Sequence, residues 1–227
     1  MKERLEGVLD RIHKAALACG RDPRSVRLVA VSKTVSAERV RQAVAAGVDT
    51  LGENYIQEAR EKIDTLAALP VAWHFIGHLQ TNKAKYAVRL FELIHTVDSL
   101  KLAAELNRQA AKAGKTQRVL VQVNVSGEAS KSGASEAEAG QLVAEIAKLP
   151  HLSLEGLMTM PPFFDQPEKA RPYFRALRRL RDEIRQRNLP GVELRELSMG
   201  MTGDFEVAIA EGATLVRIGT AIFGERR

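Results

Sequence analysis

The sequence predicts a single (β/α)8 TIM barrel with one extra N-terminal helix, and three observations carry that prediction. Short runs rich in Val, Leu and Ile alternate with longer runs of helical periodicity from about residue 27 onward. These short runs are apolar almost throughout, the pattern of parallel strands covered on both faces. The 227 residues also suit one barrel domain, which commonly takes roughly 200–250 residues, so the domain is read as 1–227. A doubly wound open sheet satisfies the same alternation, because periodicity alone does not show closure.

The elements follow in order. Leu5, Val8, Leu9, Ile12, Ala16 and Cys19 share one face of an opening helix over 2–20, stopped by Gly20. The first strand is 27–32, and Ser36 is placed to cap the next helix, which runs to about Gly47. Strand 48–51 leads to helix 55–66, strand 71–76 to helix 82–89, and strand 93–97 to helix 99–113. The run 118–125 is the most strand-like of all, with Val119, Leu120, Val121, Val123 and Val125. A Gly/Ser loop over 126–133 precedes helix 135–149. Strand 152–158 then precedes an Arg-rich helix over 171–187, strand 193–197 a short helix over 205–211, and 214–218 is the eighth strand.

Composition narrows the classes. An apolar fraction of 45% with 27% charged residues is that of an ordinary globular chain. No apolar run approaches the roughly 18–20 residues that a bilayer span needs, and the charged N-terminus lacks a signal core, so a cytoplasmic protein is expected. The single cysteine excludes an internal disulfide and a multi-cysteine metal site, and Cys19 reads as a buried structural thiol. The net charge of +6 is concentrated at Arg171, Arg175, Arg178, Arg179, Arg181, Arg185 and Arg187. With Phe174, Leu177, Leu180 and Ile184 at helical spacing, that segment reads as a solvated basic face, and no nucleic-acid reader motif accompanies it.

Ligands in this architecture sit where the strands end. Lys33 follows the first strand directly. An amine at that place points into a pocket, where desolvation frees it to attack an aldehyde, or else snorkels to solvent. Glu53 and Asn54 follow the second strand; the amide suits either a ligand contact or a helix cap. His74 and His78 are spaced for a metal on a helix, but they fall on a strand turning into a loop with no third ligand, so pocket lining or hydrogen-bonded packing is expected and no metal. The loop 198–204 is small and hydroxyl-rich, and 217–224 offers Arg217, Gly219 and Thr220. Both fall after strands seven and eight, where barrels often hold a phosphate. A lysine at one end of the site and an anion cradle at the other fit a phosphorylated aldehyde such as pyridoxal phosphate.

The motifs 30–34 (AVSKT), 52–54 (GEN), 73–83 (WHFIGHLQTNK), 156–158 (GLM), 197–201 (LSMGM) and 217–224 (RIGTAIFG) resemble, in order and over nearly the whole chain, the pyridoxal phosphate homeostasis protein family. That family is similar in fold to the N-terminal barrel of alanine racemase, the fold-type III arrangement. The resemblance implies a protein of intracellular pyridoxal 5′-phosphate (vitamin B6) homeostasis that holds the cofactor as a Schiff base on Lys33, with no assigned catalytic reaction. It implies that Ser198, Gly200, Gly219 and Thr220 surround the phosphate, that Arg217 lies near the phosphate or ring nitrogen, and that Asn54 and Met158 border the ring. The family often has a proline soon after the lysine motif; here Val35 and Ser36 follow Thr34.

Three other classes use parts of the same pattern. A pyridoxal phosphate-dependent racemase needs a second base, which racemases draw from an additional domain; this sequence is expected to lack one, and Tyr55, Tyr86 and Tyr173 fall within helical stretches. A lysine-dependent aldolase shares the lysine and phosphate logic, and a nucleic-acid binder would act through the Arg-rich helix. The expected protein is a monomer, with pyridoxal phosphate-dependent apoenzymes as candidate partners and no nucleic acid or membrane.

Overall fold

The computed structural model describes residues 1–128 and 131–225. Its opening helix α1 (Lys2–Ala18) buries Leu5, Val8, Ile12 and Ala16, one stripe at three- and four-residue spacing. It packs against α8 (Phe205–Ala210) and α9 (Thr220–Phe223), closing the side of the barrel where chain start and chain end meet. Cys19 corrects the sequence reading. It lies one residue past the helix, where the backbone has left helical geometry, and it is exposed.

Eight parallel strands close on themselves. They are β1 (Arg27–Val31), β2 (Thr50–Glu53), β3 (Ala72–Phe75), β4 (Leu93–Val97), β5 (Gln117–Asn124), β7 (Leu152–Met158), β8 (Glu196–Ser198) and β9 (Leu215–Ile218). Their order is β4-β3-β2-β1-β9-β8-β7-β5, and the β4–β5 pairing closes the ring, which decides for the barrel over the open sheet. A two-residue strand β6 (Ala134–Ser135) adds to the end of β5 and was not legible in the sequence. The intervening helices are α2 (Ala37–Ala45), α3 (Ile56–Thr65), α4 (Ala84–Leu90), α5 (Leu100–Lys112), α6 (Glu136–Ile146) and α7 (Arg171–Gln186). Ser36 caps α2 by accepting from the Arg39 N–H, and Ser135 with Glu138 forms a capping box on α6.

Strand alternation sorts the core into two layers. Ala30, Leu51, Phe75, Ile94, Val119, Leu157, Val216 and Ile218 face the helices. Val29, Leu93, Leu120, Met158 and Leu215 form a small apolar cluster inside the ring. Along β3, β4, β8 and β9 the buried polar residues His74, His95, Ser198 and Arg217 also lie in the interior. The strand before Ser198 is shorter than its apolar run suggested, because Leu194 adopts φ 45° and the sheet resumes only at Glu196.

On α7, Arg171, Arg175 and Arg178 converge on the buried Glu211 carboxylate, at 2.9, 3.2 and 3.2 Å. Part of the basic helix is therefore spent on an internal ion cluster. Among the described residues no helix is long and apolar enough to cross a membrane, and no group of three or more His, Cys, Asp or Glu is placed to hold a metal ion.

Candidate functional site

The strand ends converge on one mouth. Lys33 lies two residues past β1, in a turn, half-buried. Beside it, β1 pairs with β9, and a Cβ placed on Gly219 would meet the Cβ and carbonyl of Val31 at 3.4 Å. The Lys33 turn and the loop after β9 are thus neighbours. The loop after β8 joins them. The Arg217 N–H donates to the Gly200 carbonyl (3.0 Å), and the Thr220 Oγ1 hydroxyl donates to Thr202 Oγ1 (3.2 Å). Gly200 has φ 92°, and a Cβ there would lie 2.6 Å from Ala208 Cβ, so only glycine lets this loop fold back on α8. Gly200, Gly219 and Thr220 therefore share one corner of the mouth, with Thr220 exposed.

Asn54 and Met158 meet on the opposite side. Both line a cleft of about 220 Å³ together with Gly77, His78, Gln122 and Lys131. A Cβ on Gly77 would fall 2.2 Å from the Asn54 carbonyl, so this glycine allows the two loops to touch. Asn54 is not the cap of α3, a place taken by Tyr55. Its Oδ1 is buried with no hydrogen-bond partner, which leaves an acceptor site open to a ligand.

Ser198 stands directly before the loop that follows β8. It is the last residue of β8 and fully buried, and its hydroxyl turns into the barrel. Arg217 Nη1 donates to Ser198 Oγ at 2.7 Å, and Nη2 donates to the Thr159 carbonyl at 2.9 Å. A guanidinium can only donate, so Ser198 Oγ accepts from Arg217, and the same hydroxyl is hydrogen-bonded to His95 Nδ1, 2.8 Å away. His95 Nε2 is in turn hydrogen-bonded to His74 Nδ1 at 3.0 Å, one ring donating and the other accepting. Burial, not the hydrogen-bond order, sets the charge of the two imidazoles. Burial, reinforced by the cations Arg118 and Arg27, pushes His74 down to about 3. Burial, then His74 and Arg217, holds His95 well below the usual histidine range. Burial also lowers Arg217 to about 10, which leaves it charged at neutral pH.

His74 is thus hydrogen-bonded packing, as its sequence context suggested, while the exposed His78 lines the cleft and lies 3.8 Å from Asp98 Oδ2. Sequence reading missed His95, Lys62 and Lys131. The signal for His95 was an imidazole inside an apolar strand. For Lys62 it was a cation three residues after Ala59, on the buried face of α3. Lys131 gave none; it reaches the cleft from the loop after β5 and pairs with Glu128 at 3.5 Å.

The residues present suit pyridoxal phosphate. They supply a primary amine, an anion corner with a glycine turn and two hydroxyls, a buried guanidinium close by, and an orphaned acceptor across the mouth.

A family model described as alanine racemase, N-terminal domain, matches residues 10–227. A pyridoxal phosphate homeostasis protein of Aquifex aeolicus is 47% identical over 225 residues, covering 99% of this chain and 98% of that one. The structure of PipY from Synechococcus elongatus with PLP bound superposes with a TM-score of 0.83 at 38% identity, covering 96% of this chain and 100% of that one. Alanine racemase of Clostridium difficile gives a TM-score of 0.74 at 18% identity, covering 99% of this chain and 57% of that one, which shows a shared fold. The chain belongs to the alanine racemase N-terminal domain family and, within it, to the pyridoxal phosphate homeostasis proteins.

Proposed function

We propose that the protein binds pyridoxal 5′-phosphate covalently through Lys33 and serves intracellular homeostasis of that cofactor. One observation supports the reading: Val31, two residues before Lys33, packs against Gly219, so the turn that carries the lysine neighbours the Gly219–Thr220 loop. The PLP-bound state of PipY, a relative matched over its whole length, supports it. When bound, the cofactor supplies an aldehyde that an amine can hold and a ring that can act as an electron sink.

The chain's own residues divide the work of holding it. Gly200, Gly219 and Thr220 take the phosphate with backbone N–H groups and a hydroxyl. Ser198 acts from below by fixing Arg217, whose charge favours the phosphate or the ring nitrogen. Asn54 and Met158 border the ring. One barrel domain over 1–227, a cytoplasmic monomer, and apoenzymes as recipients complete the reading, with no part for nucleic acid or membrane.

Absorbance of the purified protein, followed by borohydride reduction and peptide mass spectrometry, tests it. A coloured protein with its reduced adduct on Lys33, and loss of both in Lys33→Ala, is expected. A protein that gains no adduct after added pyridoxal phosphate overturns the reading and moves a lysine-dependent aldolase to the front. Solvent deuterium appearing at Cα of amino acids would reassign the protein as racemase-like.

A further inference from the structure

The turn that carries Lys33 is strained. Thr34 has φ 62°, a left-handed conformation unfavourable for a β-branched residue. Its hydroxyl donates to the Lys33 carbonyl at 2.6 Å, a purely local contact. The restraint comes from the other side of the sheet. Lys62 of α3 is buried, and its Nζ donates to three acceptors: the Ser32 carbonyl (2.5 Å), Glu53 Oε1 (2.8 Å) and Glu58 Oε1 (2.6 Å). Ser32 Oγ also donates to Glu53 Oε1 at 2.6 Å, and Glu58 Oε1 accepts from the Thr34 N–H at 2.5 Å. The residue before Lys33 and the residue after it are therefore both tied to one buried ammonium.

Such a cluster is a poor way to gain stability, because a buried ion pair can often be replaced by apolar residues at no loss. What it does supply is fixed geometry. Acceptors from the β1 end, the β2 end and the first turn of α3 meet at one ammonium, which restrains the Ser32–Thr34 backbone. We propose that Lys62, with Glu53 and Glu58, is a positioning device for Lys33, holding the strained turn so that the amine stays presented at the barrel mouth. The inference rests on Lys33 as the attachment residue.

The test compares wild type, Glu58→Ala, Glu58→Gln and the double variant Glu58→Ala/Thr34→Gly. Each is mixed with pyridoxal phosphate and reduced with borohydride at timed intervals, the Lys33 adduct is quantified by mass spectrometry, and urea unfolding is followed in parallel. Glu58→Ala leaves the Lys62–Glu53 pair intact and so preserves the fold, but it releases the Thr34 N–H. Labelling of Lys33 is expected to slow about tenfold, equivalent to about 1.4 kcal/mol, the scale of the left-handed penalty. Glu58→Gln keeps an acceptor oxygen and labels near the wild-type rate. Thr34→Gly in the Ala background restores most of the rate, since glycine takes positive φ freely. Lys62→Met is the second variant, slower than Glu58→Ala. Wild-type labelling in Glu58→Ala, or slow labelling that Thr34→Gly does not restore, overturns the proposal. If the wild-type protein acquires no adduct, the attachment reading itself fails before any variant is considered, and takes the positioning role with it.

Discussion

Replacing His74 with glutamine removes one of two imidazoles that burial keeps neutral, and it should change how stability depends on pH. In the folded chain His74 titrates at about 3, against 6.5 for an unperturbed histidine. Below pH 6.5 the unfolded chain binds a proton at this site and the folded chain does not, so stability falls as pH falls. At about pH 5 the difference is about 1.5 units of the unfolded titration, or about 2 kcal/mol at about 1.4 kcal/mol per unit. His95, also lowered by burial, acts in the same sense as pH falls. The raised carboxyls of Glu53 and Asp204, both pushed up by burial, act in the opposite sense as they protonate in the fold. The comparison of variant with wild type isolates the imidazole. His74→Gln replaces the ring by a neutral amide and leaves the His95, Ser198 and Arg217 side chains in place. Urea unfolding of cofactor-free protein at about pH 7 and about pH 5 should show the variant losing about 2 kcal/mol less than wild type. Equal losses in the two proteins would mean that folded His74 takes up a proton near its ordinary value, and would refute a neutral, buried His74.

Other outcomes follow from the same geometry. Ser198→Ala leaves Arg217 Nη1 and His95 Nδ1 without their shared hydroxyl and should cost about 1–3 kcal/mol by urea unfolding. Gly200→Ala forces a Cβ to 2.6 Å from Ala208 at φ 92°; a loss of about 1–3 kcal/mol and weaker pyridoxal phosphate retention are expected, the latter measured by equilibrium dialysis. Glu211→Gln removes the charge on which three α7 arginines converge. The arginines outweigh the upward push of burial and hold Glu211 below the usual carboxylate range, so its contribution is present above pH 4.5 and lost as pH falls through the folded value. Because the arginines are partly exposed, the destabilisation should be about 1–2 kcal/mol and should shrink in high salt.

The parts of the molecule that were legible are those in which a local pattern has only one good burial. The stripe Leu5, Val8, Ile12, Ala16 can be covered only as one helix face, and 118–125 only as a strand buried on both sides. Lys33, Arg217 and the Gly200 and Gly219 loops stood out because strand ends at a barrel mouth are where backbone groups and charges remain available. Boundaries were less legible: β2 begins at Thr50 rather than Val48 and β8 only at Glu196, since pairing with neighbours, not apolar content, decides which residues join a ladder. Cys19 misled for the same kind of reason, as helical periodicity continued past the point where the helix stops.

The sequence by itself determined the alternation of strand and helix, the amphipathic faces, and which residues with chemical character follow each strand, because these depend on periods of two and 3.6 residues and on chain order. Only the tertiary structure decided that the sheet closes, that Ser198 faces inward to join Arg217 with His95 and His74, and that Lys62 and Glu58 together hold the two flanks of Lys33. Those contacts link residues separated by 19, 103 and 30 positions. Such partners are chosen by strand order and register around the ring, and the free energy that fixes their protonation comes from burial, which no local stretch of sequence possesses.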